Sequence, residues 1–414
     1  MRAVDLFAGC GGLSKGFENA GIDIVAAFEF WDRAAQCYEM NFNHPVFVTD
    51  LSNVDKAVAE IMPYAPDMVI GGPPCQDFSH AGKRVESDRA GLTKSYAKII
   101  DAIRPRYFVM ENVDRARNSQ AFHEARDIFK GIGYGLTEIV LDASRCGAPQ
   151  KRKRFFCIGG LSEDDGFLLD RLTEGLSDHD MTVREFFGES LGFEYYYRHP
   201  RNYSRRAIFS IDEPAPTMRG VNRPVPKGYP GHPNDACPVS NNVRALTTEE
   251  RALFQTFPAD FHWCGTKTDK EQMIGNAVPV KLGEYVARTL MEYIEDKNNA
   301  GTAARKSMYD KPKELLLNFA EHGATKTFRT WLTEDKSLSA LTAKDMESRV
   351  RRANSIAPLD TREDGVIYLH RLEKKDEYGA LSGSIKSQLK RAVRLYCEYR
   401  HKCLYMGDDI AAGQ

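Results

Sequence analysis

Over the first 160 residues, short apolar runs alternate with stretches of helical periodicity, and the loops between them are rich in glycine. That alternation most constrains the fold, because it is the pattern of βα units laid around a parallel sheet. Strands are expected at Ala3–Phe7, Ile24–Phe28, Phe47–Thr49, Met68–Gly71, Tyr107–Glu111, Leu136–Leu141 and Arg154–Gly159. Helices are expected between them, among others at Leu13–Ala20, Asp32–Asn41 and Leu92–Ile103. Right-handed crossovers then make the sheet doubly wound. The chain has 414 residues, 42% of them hydrophobic, ample for one large core and enough length for two or three domains.

The texture changes near Phe187. From Glu194 to Ser240 the chain holds Tyr195-Tyr196-Tyr197-Arg198, Arg201, Arg205-Arg206 and eight prolines, with almost no periodicity. This is an irregular, aromatic and basic region. Helical patterning resumes at Thr247–Thr256 and Val280–Asp296, and Asp296–Arg305 has the composition of a linker. Beyond it lie amphipathic stretches at Lys311–His322 and Ser384–Arg400 and a short strand candidate at Gly365–Leu369. The expected divisions are 1–187, 188–242, 243–298 and a mainly helical extension at 299–414. The whole chain balances 57 basic against 58 acidic residues, yet residues 301–414 carry 21 against 16. Local clusters must therefore decide any polyanion binding.

No run approaches a membrane span, and the N-terminus lacks the layout of a secretory signal. The nine cysteines form no CxxC pairs, which argues against a disulfide framework or a zinc site and for a reducing cytoplasm.

Chemistry concentrates at strand ends. Asp5-Leu6-Phe7-Ala8-Gly9-Cys10-Gly11-Gly12-Leu13 is a strand, a glycine turn and a helix start, where backbone can approach a bound molecule. The spacing is not GxGxxG, so dinucleotide binding does not follow, and a purely structural turn is the plainer alternative. Glu29 and Asp50 close the next two strands, and a carboxylate at Glu29 suits ribose hydroxyls. In Gly71-Gly72-Pro73-Pro74-Cys75-Gln76-Asp77-Phe78-Ser79, a cysteine sits on a stiffened loop at the mouth of the sheet. A thiolate there can act as a nucleophile; burial, the usual fate of cysteine, is accepted for Cys10, Cys37 and Cys157. Glu111 in Glu111-Asn112-Val113 faces the same crevice, with a salt-bridged carboxylate as the plainer alternative. In Gln150-Lys151-Arg152-Lys153-Arg154, the two arginines share one face if the segment is a strand. They can grip phosphate or a ring edge, or simply form a solvated basic face.

Taken in order, DLFAGCGG, GGPPCQDFS, ENV, QKRKR and GNAVP (Gly275–Pro279) resemble the cytosine-C5 DNA methyltransferase family of bacterial type, over Arg2 to about Tyr293. The resemblance implies a Rossmann-like α/β fold of methyltransferase type with a small target-recognition region. It implies methyl transfer from S-adenosylmethionine, giving S-adenosylhomocysteine, to C5 of a cytosine flipped from duplex DNA, with no metal. By that resemblance Cys75 adds to C6, Glu111 assists at N3, and Arg152 and Arg154 hold the base and the developing charge. Cofactor contacts carry over to Phe7, Ala8, Gly9, Gly11, Gly12, Leu13, Glu29, Asp50, Leu51, Pro73, Leu92, Asn276 and Val278. Trp31 stands where the family commonly has an acidic residue. Gln76, Ser79, Lys83 and Arg84 fall in the family's catalytic loop and, with Arg205, Arg219 and Arg223 of the variable region, are the expected DNA contacts.

The resemblance further implies a cytoplasmic, nucleoid-associated monomer, paired with a restriction endonuclease or solitary. A transfer-RNA cytosine methyltransferase and a noncatalytic DNA-binding regulator are the rival readings. For residues 300–414 no family is evident. Their clusters Arg349-Arg351-Arg352, Arg371-Lys374-Lys375 and Lys386-Lys390-Arg391-Arg394 suggest a second DNA contact.

Overall fold

The computed structural model describes residues 1–74, 86–202, 204–240, 242–309, 327–359 and 365–404. The strands are β1 (Arg2–Leu6), β2 (Asp23–Glu29), β3 (Val46–Val48), β4 (Met68–Gly71), β5 (Tyr107–Val113), β6 (Tyr134–Asp142), β7 (Gln150–Lys151), β8 (Lys153–Leu161), β9 (Tyr195–Tyr197), β10 (Ile208–Ser210), β11 (Ala215–Pro216) and β12 (Arg244–Ala245). The helices that begin in the first unit are α1 (Gly12–Asn19), α2 (Asp32–Glu39), α3 (Val54–Ile61), α4 (Glu86–Ile103), α5 (Gln120–Gly131), α6 (Leu169–Glu174), α7 (Val183–Phe187), α8 (Thr248–Phe254), α9 (Lys267–Asn276) and α10 (Val280–Tyr309). The contacts divide the chain into two compact units, Met1–Asn298 and Asn299–Gln414.

A seven-stranded sheet in the order β3-β2-β1-β4-β5-β8-β6 forms the first unit. All neighbours among the first five are parallel, and β8 alone runs the other way, antiparallel to both β5 and β6. The chain winds outward from β1 to β3, then returns to place β4 on the other flank of β1. The crevice between the carboxyl ends of β1 and β4 is therefore the topological switch point, where doubly wound sheets hold ligands. Strands β1 and β4 are buried on both faces, which explains their continuous apolar runs. On one face α1 packs against α10: a Cβ at Gly16 would lie 2.6 Å from Val280 O and Glu284 N. The segment after residue 242 thus returns to the first strand's flank, with Leu13, Phe17, Val278, Leu282 and Val286 in one apolar cluster. Thr182, Thr247 and Thr266 each open a helix with a reciprocal capping box, which satisfies donors that the first turn leaves free.

Within residues 188–242, β9 pairs with β10, and β12 just beyond completes a small sheet, β10-β9-β12, over apolar clusters that include Tyr196, Tyr197, Ile208 and Phe209. Two of the three consecutive tyrosines are thus core residues; Tyr195 is the one turned outward.

The second unit contains α11 (Phe328–Glu334), α12 (Ala340–Ile356), α13 (Gly365–Glu373), α14 (Asp376–Gly379) and α15 (Gly383–Leu404). Two sequence expectations fail around it. Residues 296–305 are helical, within α10, because the alanines and charged residues there favour a helix more than the asparagines and glycine disfavour it. Residues 365–369 are also helical, because Tyr368 and Leu372 share one buried face against Leu389 and Val393 of α15, a spacing of four and not of two. The amphipathic stretch at 311–322 lies outside the described residues.

Candidate active site

The glycine turn after β1 is shaped by its backbone. Gly9 and Gly11 adopt φ +57° and +92°, and Phe7 itself sits at φ +58°, a region that L side chains rarely enter. A Cβ at Gly11 would lie 2.3 Å from Phe42 and one at Gly12 2.4 Å from Val278 O, whereas one at Gly9 would meet nothing within 4 Å. The turn is therefore packed on its inner side and open at Gly9. Beneath it Asp5 is buried, accepts a hydrogen bond from Ser14 Oγ at 2.6 Å, and is pushed up to about 7 by burial.

Glu29 ends β2 beside this turn. Its Oε2 accepts from Gly9 N–H and its Oε1 from Trp31 N–H, each at 2.7 Å. Burial raises its pKa against those bonds. Each carboxylate oxygen keeps a second lone pair, so the group can hold the turn and a pair of hydroxyls together. Sequence reasoning missed Phe30, whose ring is 68% exposed at this strand end; a large aromatic left bare beside a carboxylate is the signal. Asp50 follows β3, its Oδ1 taken by Ser52 N–H at 2.9 Å, and Leu51 beside it is buried. Trp31 packs into the apolar cluster of Ala8, Cys10 and Phe257. Leu92 is partly buried on α4, and Asn276 is exposed at the end of α9, with Val278 buried just beyond.

The second half of the crevice lies between β4 and β5. Glu111 is 8% exposed near the carboxyl end of β5, and its Oε1 pairs with Arg154 Nε at 2.7 Å. Burial raises the Glu111 pKa, with Arg154 and then Arg152 opposing. Burial thus favours the protonated form of this carboxyl group more than exposure would. Its Oε2 lies 2.9 Å from where a Cβ on Gly72 would stand, so only glycine lets the turn after β4 come this close. Asn112 Nδ2 donates to Pro73 O at 2.9 Å, fixing the Gly72-Pro73-Pro74 turn against the carboxylate. Asn112 had no assigned role from its sequence position. Cys75, Gln76, Ser79, Lys83 and Arg84 lie outside the described residues.

The two arginines of QKRKR are not equivalent. The strand is interrupted at Arg152, between β7 and β8, yet burial alternates through it: Gln150 and Arg152 are buried, Lys151 and Lys153 exposed, and both arginines act on Glu111. Arg154 turns to Glu111. Arg152 is 1% exposed and gives its guanidinium to three backbone carbonyls, Met218, Gly275 and Ala277, at 2.8 to 2.9 Å.

Within residues 188–242, Arg198 is pushed down to about 10, first by burial and then by Arg219. Arg219 is lowered by burial, Arg201 and Arg205, and His199 by burial, Arg223 and Arg219. Arg201, Arg205 and Arg223 are exposed. Mutual repulsion among five arginines is relieved by a polyanion. Among the described residues no group of three or more His, Cys, Asp or Glu is arranged to hold a metal ion, and no helix is long and apolar enough to cross a membrane.

The family model for C-5 cytosine-specific DNA methylase matches residues 1–292. The chain is 55% identical over 295 residues to Type II methyltransferase M.HindV of Haemophilus influenzae, covering 71% of this chain and 97% of that protein. It is 53% identical over 295 residues to Type II methyltransferase M.HgiDI of Herpetosiphon aurantiacus, covering 71% of this chain and 95% of that protein. The crystal structure of S. pombe Dnmt2 methyltransferase superposes with a TM-score of 0.53 at 18% identity, over 71% of this chain and 99% of that one, which speaks for the fold.

Proposed function

Because this chain belongs to the C-5 cytosine-specific DNA methylase family, we propose that it methylates C5 of a cytosine flipped out of a specific duplex DNA site, through a covalent bond between Cys75 Sγ and C6. The observation that carries this reading is the Glu111 carboxyl, buried, paired with Arg154 and touched by the Gly72-Pro73-Pro74 turn that leads directly into Cys75.

Cytosine C5 is a weak nucleophile, and covalent addition at C6 raises its electron density. The Cys75 thiolate adds at C6 while Glu111, whose protonated form is favoured by burial, donates at N3. Arg154 orients Glu111 and offers its remaining N–H groups to the base. After C5 has taken the methyl group, loss of its proton to water re-forms the C5–C6 double bond, breaks the S–C6 bond and releases the Cys75 thiolate. When bound, S-adenosylmethionine supplies a sulfonium methyl and leaves as S-adenosylhomocysteine. The glycine turn from Phe7 to Leu13 fits its methionine part, Glu29 its ribose hydroxyls, and Phe30 with Asp50 and Leu51 its adenine. Pro73, Leu92, Asn276 and Val278 complete the walls. The arginine cluster of residues 198–223 holds the DNA, and Gln76, Ser79, Lys83 and Arg84 are assigned to the loop that closes on it. Physiologically, the activity would protect DNA from a cognate endonuclease.

The test is covalent trapping. A duplex carrying 5-fluorocytosine at the target should arrest the wild-type protein as a denaturation-resistant adduct, and Cys75→Ser should form none while still binding cofactor. Methylation of transfer RNA in preference to duplex DNA, or near-normal turnover by Cys75→Ser, would overturn the reading.

A further inference from the structure

A set of buried polar side chains joins the recognition region to the cofactor side of the crevice. Strand β11 pairs with β7 through Ala215 and Gln150. Gln150 Oε1 accepts from Met218 N–H at 2.8 Å, and its Nε2 donates to Gln255 Oε1 at 2.7 Å. Gln255 Nε2 in turn donates to Ile274 O and, at 3.2 Å, to Ala277 O. Arg152 spans the same gap alone, with Nη1 on Met218 O and Nη2 on Gly275 O and Ala277 O. Those last two carbonyls end α9, the negative pole of a helix, which suits a buried cation. Beside them the backbones touch: a Cβ on Gly275 would stand 2.2 Å from Gly220 N. A second clamp holds the same segment, with buried Arg251 paired to Glu271 and donating to Arg219 O, while Asn222 Nδ2 donates to Glu271 Oε1 at 3.0 Å.

Met218–Asn222 is therefore fixed at one end of a guanidinium whose other end holds the carbonyls flanking Asn276. Two residues along the chain, Arg154 holds Glu111. We propose that Arg152 is a positioning residue through which engagement of target DNA by residues 219–223 sets the cofactor wall at residues 275–278, so that DNA and cofactor strengthen each other's binding. A planar fork is needed, because three carbonyls on two separate segments must be met at once and an ammonium on a flexible stem does not fix their spacing. This inference rests on the proposed function, which supplies both ligands.

The experiment uses the full chain and calorimetry with S-adenosylhomocysteine, with and without a duplex whose site has been found by sequencing 5-methylcytosine in DNA from expressing cells. For the wild-type protein the duplex should tighten S-adenosylhomocysteine binding by about tenfold, and S-adenosylhomocysteine should tighten DNA binding by the same factor. In Arg152→Lys the factor should fall to about twofold or less, while binding of S-adenosylhomocysteine alone stays within about threefold. A role in stability alone would weaken both ligands and leave their mutual factor intact. Gly275→Ala, whose methyl would stand 2.2 Å from Gly220 N, parts the same backbone contact without touching a charge and should also lower the factor; it serves if Arg152→Lys fails to fold. Retention of the wild-type factor by either folded variant overturns the inference, as does a wild-type protein that binds both ligands independently. A wild-type protein that binds neither ligand overturns the proposed function instead.

Discussion

The arginines of the recognition region and the basic residues of the second unit look alike in the sequence and differ in the structure. Around His199, Arg198, Arg201, Arg205, Arg219 and Arg223 repel one another. In the second unit Arg329 and Arg351 share Glu347, Arg349 pairs with Asp345, Lys336 with Glu398 and Lys390 with Glu373. Lys386 and Arg371 spend donors on backbone carbonyls, as Arg198 and Arg219 also do, so the carboxylates make the difference. An excess of positive charge marks a polyanion surface only where carboxylates have not already answered it. Five of the second unit's described cations are answered by its own carboxylates, and the exposed Lys344, Arg352, Lys374, Lys375, Arg391 and Arg394 are the remaining candidates for a DNA contact.

The contrast is broken most violently by unpairing a buried cation. Glu111→Gln should cut the methylation rate on the order of 10²–10³-fold and, by stranding Arg154, destabilise the fold by about 3 kcal/mol. Single-turnover rates and thermal unfolding read the two effects separately. Because burial raises the Glu111 pKa, the acid form persists to higher pH; the wild-type rate should fall as pH rises through that value, and the fall should vanish in Glu111→Gln. Next, Arg201→Ala, Arg205→Ala and Arg223→Ala combined should weaken DNA binding about 10²-fold and reduce the salt slope by about 3, which a titration series from low to moderate salt would show. Ending the chain after Tyr309 should cost less than about tenfold in DNA affinity and no more than about 2 in slope; a larger loss would move the principal DNA surface to the second unit. Smallest of all, Arg351→Ala should shift stability by under about 0.5 kcal/mol and leave DNA binding as it was.

These differences were only partly legible in the sequence. The sheet could be read because β1, β4 and β5 are buried on both faces and therefore announce themselves as apolar runs. Glu111 and the glycine turn could be placed because both sit at strand ends, where position along the chain almost dictates position in space. Arg152 and Arg154 could not be told apart, since the carbonyls that Arg152 reaches lie on segments 66 to 125 residues away. Asn112 was opaque for the same reason: its role depends on the turn it reaches. Residues 365–369 have strand composition, and only packing against α15 makes them helical. Ion pairs such as Arg329 with Glu347 join different helices and leave no spacing to recognise.

The backbone contact between Gly220 and Gly275 bears on how freely sequence specificity can be exchanged among relatives. A recognition region of residues 188–242 moved into another body is not a self-sufficient cassette, because its inner edge is completed by Arg152, Arg251, Glu271 and a bare backbone at Gly275. A chimera that keeps those four partners with the graft should inherit a seated reading edge. One that divides them should bind DNA loosely and lose fidelity before it loses its fold.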